Sequence, residues 1–168
     1  MSKKSAKQTF AAKAPVALKQ TMAKPISGYT DPAALRTLME NAKRLGRDDI
    51  WREAFRRVCA LEGAEQTDPL HRDFYQTLAA YEQLLSEKNG RATRASRTRL
   101  KLKSKGVIQC LEDWVSSRTP TESYELLVAA GLAEMTGEQI VLNHREQFSA
   151  SGVAAAAARL ATLADQTA

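Results

Sequence analysis

The absences in this chain of 168 residues narrow its chemistry before any motif is considered. It holds two cysteines, Cys59 and Cys110, and two distant histidines, His71 and His144. Four such residues at these separations do not make a zinc site. Each cysteine lies in an apolar helical context (Val58-Cys59-Ala60-Leu61 and Ile108-Gln109-Cys110-Leu111), which marks a buried free thiol acting as a small hydrophobe. No apolar run approaches the ~20 residues that a membrane span requires. The N-terminal stretch has no apolar centre of the kind a secretory signal carries, so the expected location is the cytoplasm and no membrane is expected as a partner. A basic, acid-free, Ala-rich start is also compatible with a mitochondrial presequence, but those favour arginine and this stretch has none. No Gly-rich phosphate loop, His-Glu-x-x-His, Gly-x-Ser-x-Gly or Cys-x-x-Cys is present. His71 and His144 have no ligand partner at helical spacing and read as surface histidines. Asp48, Asp49 and Glu53 could gather around a divalent metal, but carboxylates at a helix start are more simply caps and dipole partners. The expectation is a protein without catalytic residues, metal or cofactor.

Negative charge is missing from two places. Residues 1 to 28 contain Lys3, Lys4, Lys7, Lys13, Lys19 and Lys24 and no acid, which accounts for the whole formal charge of +6 and leaves nineteen basic and nineteen acidic residues in the remainder. That remainder sorts its charges into blocks, basic at 36 to 57 and 88 to 105, acidic at 62 to 87 and 112 to 146. Segregated charge lets a neutral body present one positive face. Between Lys88 and Lys105 eight of eighteen residues are basic (Lys88, Arg91, Arg94, Arg97, Arg99, Lys101, Lys103, Lys105), again with no acid. Hydroxyls and small residues separate them, a composition suited to gripping phosphate oxygens.

Large apolar residues are also scarce in residues 1 to 28, too few to offset the entropy of ordering them, which predicts a disordered Lys-rich arm. The remainder reads as an all-α single domain of about six or seven helices, with a helical body over 30–148 and an Ala-rich C-terminal helix over 151–168. Asp31-Pro32 starts the first helix through Leu35, Leu38, Met39, Ala42 and Leu45, and Gly46 ends it. Asp48 or Asp49 caps a second through Trp51, Ala54, Phe55, Val58 and Leu61. Asp68-Pro69 starts a third through Leu70, Phe74, Leu78, Tyr81 and Leu85, stopping at Asn89-Gly90. Residues 91 to 105 form a basic helix interrupted at Gly106. Val107, Ile108, Leu111, Trp114 and Val115 continue as a short amphipathic helix, and Thr121 opens another through Leu126, Leu127 and Ala130. For 131 to 148 two readings stand. Thr136 with Gln139 at the fourth position resembles a capping box and favours a helix, whereas a strand pair turning at Thr136-Gly137 would make a small β wing near 132–143. Val153, Leu160 and Leu163 give the last helix a narrow stripe on which it docks, or else it frays.

On a helical wheel Arg91, Arg94, Thr98, Lys101 and Lys105 share one face, Lys88 and Arg97 lie at its margin, and Arg99 and Lys103 lie elsewhere on the surface. The stretch Ser96 to Val107 resembles the recognition helix of helix-turn-helix proteins, in which basic and polar residues run into a glycine followed by a β-branched residue. That resemblance implies a helix entering the major groove with Arg and Ser/Thr side chains on base edges and phosphates. Residues 70 to 148 also resemble small uncharacterised bacterial proteins that share an Asn-Gly-Arg and Ala-Ser-Arg-Thr-Arg core, a likeness that brings no function. The expected function is non-catalytic nucleic-acid binding, duplex DNA before RNA, through Lys88, Arg91, Arg94, Arg97, Thr98, Arg99, Lys101, Lys103 and Lys105, with Lys3, Lys4 and Lys7 on the arm. Trp51, Trp114, Tyr75 and Tyr81 sit at core spacing, which leaves few aromatics to stack on unpaired bases. The alternative is an interaction or structural module, whose basic face pairs with the acid-rich helix of 68 to 87 or docks on an acidic protein, and which self-associates through the C-terminal stripe.

Overall fold

A computed structural model describes residues 24–167. They form seven α-helices and no strand: α1 (Pro32–Arg44), α2 (Asp48–Gly63), α3 (Pro69–Asn89), α4 (Ser96–Val115), α5 (Glu122–Ala129), α6 (Gly137–Asn143) and α7 (Ala150–Thr167). Short 3-10 turns lie at Ile26–Gly28, Ala133–Met135 and Arg145–Gln147. Among the described residues no helix is long and apolar enough to cross a membrane. Lys3, Lys4 and Lys7 lie outside the described residues.

Side-chain caps set most of the helix starts. Asp31 accepts from the Ala33 N–H at 2.9 Å and Asp68 from the His71 N–H at 2.8 Å. Pro32 and Pro69 fill first-turn positions where no N–H is needed. Thr121 and Thr136 cap α5 and α6, each accepting at 3.3 Å from the N–H three residues on. The capping signal at Thr136 therefore prevails, and the β wing near 132–143 is absent. Helix α2 departs from expectation, because neither Asp48 nor Asp49 caps it. It follows Arg47 with no side-chain cap bond, and Asp49 turns back onto Arg47 at 2.7 Å.

Helix α3 runs between two apolar clusters and contributes to both. Leu70, Phe74, Leu78 and Leu85 meet Val107, Cys110, Leu111 and Trp114 of α4, Ile140 and Val141 of α6 and Ala156 of α7. Ala80 and Leu84 close the other cluster, with Leu35 and Met39 of α1, Trp51, Phe55 and Val58 of α2, and Leu127 and Leu132. Both tryptophans are core residues, Trp114 stacking on Phe74 with ring centroids 5.5 Å apart. Both cysteines are free and buried. Burial, with the nearby Glu62 charge, pushes the Cys59 thiol up to about 12, so it is inert at neutral pH.

The structure corrects several assignments. The expected arm ends too late at residue 28, because Ile26 is 2% exposed and belongs to the α1–α2 cluster. Arg57 also donates to the Tyr29 carbonyl at 2.8 Å. Leu45 and Ile108, assigned to apolar stripes by spacing, are exposed; Leu45 lies in the turn that leaves α1 and Ile108 follows the break at Gly106. His144 is no surface histidine. Its Nε2 lies 2.8 Å from Asp73 on α3, with the side chain 14% exposed. Helix α7 docks, but through small residues: Gly152 and Ala156 are buried, while Val153 and Leu160 are only half-buried.

An ion pair with a buried carboxylate joins α7 to α6 and α4. Arg159 Nη1 donates to Glu138 Oε1 at 2.6 Å and to the Trp114 carbonyl at 3.2 Å, and Nη2 donates to the Ser117 carbonyl at 2.6 Å. Glu138 is 1% exposed. Gly137 beside it is required by space, since a Cβ there would stand 2.6 Å from Trp114 Cε3.

Two outcomes follow for stability. Replacing Arg159 by Met strands a buried carboxylate and should lower the unfolding free energy by about 3–5 kcal/mol in urea titrations, and adding Glu138→Leu should recover most of the loss. Ile26→Ala should cost about 2–5 kcal/mol by the same measurement; a cost below the error of the titration would show that the segment before α1 is not part of the core.

Candidate nucleic-acid interface

Residues 91 to 95 are not helical, and the reason lies on α3. Ser86 Oγ accepts from the Thr93 N–H at 2.9 Å, and Glu82 Oε1 accepts from the Ala95 N–H at 2.9 Å. These side chains capture the backbone donors that a helix would otherwise use, and Ala95 is buried at 7% exposure. Gly90 makes the turn out of α3 with φ 64°, a left-handed conformation that glycine adopts without strain. Helix α4 thus begins at Ser96, and Arg91 and Arg94 stand on an extended segment before it. The single face expected for Arg91, Arg94, Thr98, Lys101 and Lys105 does not exist.

Helix α4 is itself broken at Gly106, whose φ of 79° and ψ of 175° separate a segment of 96–105 from one of 107–115. The break is sharp. Lys101 Nζ lies 2.7 Å from Asp113 Oδ2 and Lys105 Nζ lies 3.5 Å from it, whereas twelve residues of straight helix would put Lys101 and Asp113 about 18 Å apart. The basic segment bends sharply at Gly106, toward the side of its continuation that carries Asp113. Lys101 and Gln109 bond the Asp113 carboxyl and, against a small effect of burial, lower it to about 2.

The eight basic residues divide into two sets. Lys88 pairs with Glu122 at 2.8 Å, Arg99 grips Glu82 at 2.6 and 2.7 Å, and Lys101 and Lys105 share Asp113. Arg99, expected to stand apart on the surface, is therefore an anchor to α3, and Thr98 is half-buried beside it. Arg91, Arg94, Arg97 and Lys103 are exposed and make no ion pair among the described residues. The start of α4 has no side-chain cap, so its positive end adds to Arg94 and Arg97. Arg94 and Lys103 line two clefts of about 370 and 540 Å³ that share Tyr75 and Arg99 as wall. Arg36 of α1, paired with Glu62, lines the first of these clefts along with Glu62 and Glu82, so its wall carries both signs of charge. The part of Arg36 in this surface depends on how α1 and α3 pack and has no local signature in the sequence.

The second basic stretch is largely neutralised, as ordinary helix faces would be. Arg36 pairs with Glu62, Lys43 with Glu87, Arg47 with Asp49 and Arg56 with Glu134.

The Glu82 anchor has a pH signature. Burial pushes its carboxyl up, but hydrogen bonds from Arg99 and the Ala95 N–H, with the charges of Arg99 and Arg94, outweigh burial and hold it below its ordinary 4.5. A carboxyl depressed in the folded state contributes stability that is fully present above its unfolded pKa and is lost as pH falls through the folded value. Lowering the pH from 5 to 3 should therefore reduce the urea midpoint more in the wild type than in Glu82→Gln, which should already be the less stable at pH 7. Parallel pH profiles for the two proteins would show that the pair holds nothing in place.

Comparison with protein-family models, with curated proteins and with solved structures found no match for this chain.

Proposed function

We propose that this chain is a non-catalytic nucleic-acid-binding protein that holds duplex DNA, chiefly through phosphate contacts, at the surface formed by residues 91 to 95 and the first segment of α4. The observation that carries the reading is the division of the basic cluster. Arg91, Arg94, Arg97 and Lys103 are exposed and make no ion pair among the described residues, within thirteen positions that contain no acid. Cations left so close together repel one another until a polyanion neutralises them, and each phosphate contact releases condensed counter-ions. The lysines of the N-terminal stretch, Lys3, Lys4 and Lys7 among them, supply a second basic feature to the same partner. Burial of Trp51 and Trp114 leaves little aromatic surface for stacking on unpaired bases, which favours duplex DNA over single-stranded RNA. A cytoplasmic site of action goes with this reading.

The internal pairing of Lys88, Arg99, Lys101 and Lys105 favours a second reading, an interaction module in which the rest of the basic surface meets an acidic protein. Purification at low and high salt separates the two, since bound nucleic acid raises the 260/280 absorbance ratio and an acidic protein does not.

The quantitative test replaces Arg91, Arg94, Arg97 and Lys103 together by Gln, which keeps a similar helix propensity. Affinity should fall on every duplex sequence, and the slope of log K against log salt should shrink by about 0.9 per lost contact, or roughly 3.6 if all four touch phosphate. Lys101→Gln should instead lower stability and leave the slope alone. An unchanged slope in a folded quadruple variant would remove this surface from the binding site.

A further inference from the structure

At 70% exposure Leu100 is the most exposed large apolar side chain among the described residues, and it stands in the middle of the basic segment. A lone surface leucine is ordinary; its surroundings are not. At 100° per residue Ala95 and Leu102 mark the inner side of the segment, where Arg99 is tied to Glu82. Arg97, Leu100 and Ser104 then fall on the outer side, and all three are exposed. Arg97 thus offers donors about one turn before an apolar tip, and Ser104, whose hydroxyl donates to the Lys101 carbonyl at 3.1 Å, presents an acceptor oxygen about one turn after it, with the exposed cations of residues 91 to 95 upstream and Lys103 beside it. An α-helix is about 10–12 Å across with its side chains, and the DNA major groove, about 12 Å wide, admits one.

Resting on the duplex reading above, we propose that this outer face reads base edges in the major groove, with Leu100 packed against the 5-methyl group of thymine. Charge selects the occupant: Arg91, Arg94, Arg97 and Lys103 around the leucine are exposed and make no ion pair among the described residues, and the closely spaced phosphates of a duplex complement them. The apolar tip selects the base. The major groove offers hydrogen-bonding groups from every base pair and one methyl group, that of thymine, and a leucine set against any other edge would leave polar groups without partners.

The experiment measures binding of the full chain, by fluorescence anisotropy, to a 24-base-pair alternating dA-dT duplex and to the same duplex with deoxyuridine in place of thymidine. Loss of one buried methyl contact predicts about three- to five-fold weaker binding to the deoxyuridine duplex. Leu100→Ala should bind both duplexes equally with an unchanged salt slope; the side chain is exposed, so circular dichroism should match the wild type. Equal affinity of the wild type for the two duplexes overturns the proposal while leaving the phosphate reading intact, and absence of salt-sensitive binding to either overturns both. A self-association or protein complex abolished by Leu100→Ala would assign the leucine to a protein interface and likewise overturn it.

Discussion

Arg159 reaches from α7 across the end of α4 to a carboxylate that has almost no contact with water. Two charges taken out of solvent are tolerated only when their attraction and hydrogen bonds offset desolvation, and the guanidinium meets that condition by bonding Glu138 together with the Trp114 and Ser117 carbonyls. Those carbonyls lie in the last turn of α4 and just beyond it, where helical acceptors run short of intrahelical donors. One side chain therefore fixes the last turn of α4, the first turn of α6 and the position of α7. The second segment of α4 becomes a rigid base. Gly106 lets the chain bend away from that base, and Asp113 holds Lys101 and Lys105 of the segment before the bend. The orientation of the basic surface is thus set by a contact in an Ala-rich helix far along the chain.

Charge in the cluster does two jobs, and geometry decides which residue does which. Residues pointing toward α3 or back along α4 find carboxylates at Glu82 and Asp113 and become struts. Residues on the extended segment and on the outer side of α4 form no ion pair among the described residues, although the charge of Arg94 still acts on Glu82. A uniform basic helix could not make this division, because all its cations would face solvent or repel one another. The non-helical start, imposed by Ser86 and Glu82, and the break at Gly106 both create it.

Much of the architecture was legible because its signals are local. Asp31-Pro32, Asp68-Pro69 and the Thr136 cap specify helix starts from adjacent residues, and Gly90 and Gly106 mark ends and breaks by their backbone freedom. What was not legible depends on partners distant in sequence. Nothing between residues 91 and 95 announces that α3 will take N–H groups of Thr93 and Ala95, and nothing in Val153-Ala-Ala-Ala-Ala-Ala158 shows that Arg159 will reach a buried carboxylate. Ile26 looked like part of a polar tail until α1 and α2 made a site for it. The candidate surface shares this split. Its composition could be read directly, while the sorting of its eight cations into paired and free sets could be read only from the fold.

The way Arg91 and Arg94 are held bears on what binding there would require. A phosphate-gripping loop that orders only on contact gives up part of its interaction energy to conformational entropy. Here the segment is pinned to α3 by Ser86 and Glu82 through the backbone of Thr93 and Ala95, so the main chain that carries both arginines is already in place. Arg99 reinforces the same point by occupying Glu82, which keeps that carboxylate from neutralising Arg94 more directly. A structural ion pair thereby protects the charge of its neighbour. The acid-rich helix, the natural internal competitor for this surface, instead presents the arginines to solvent.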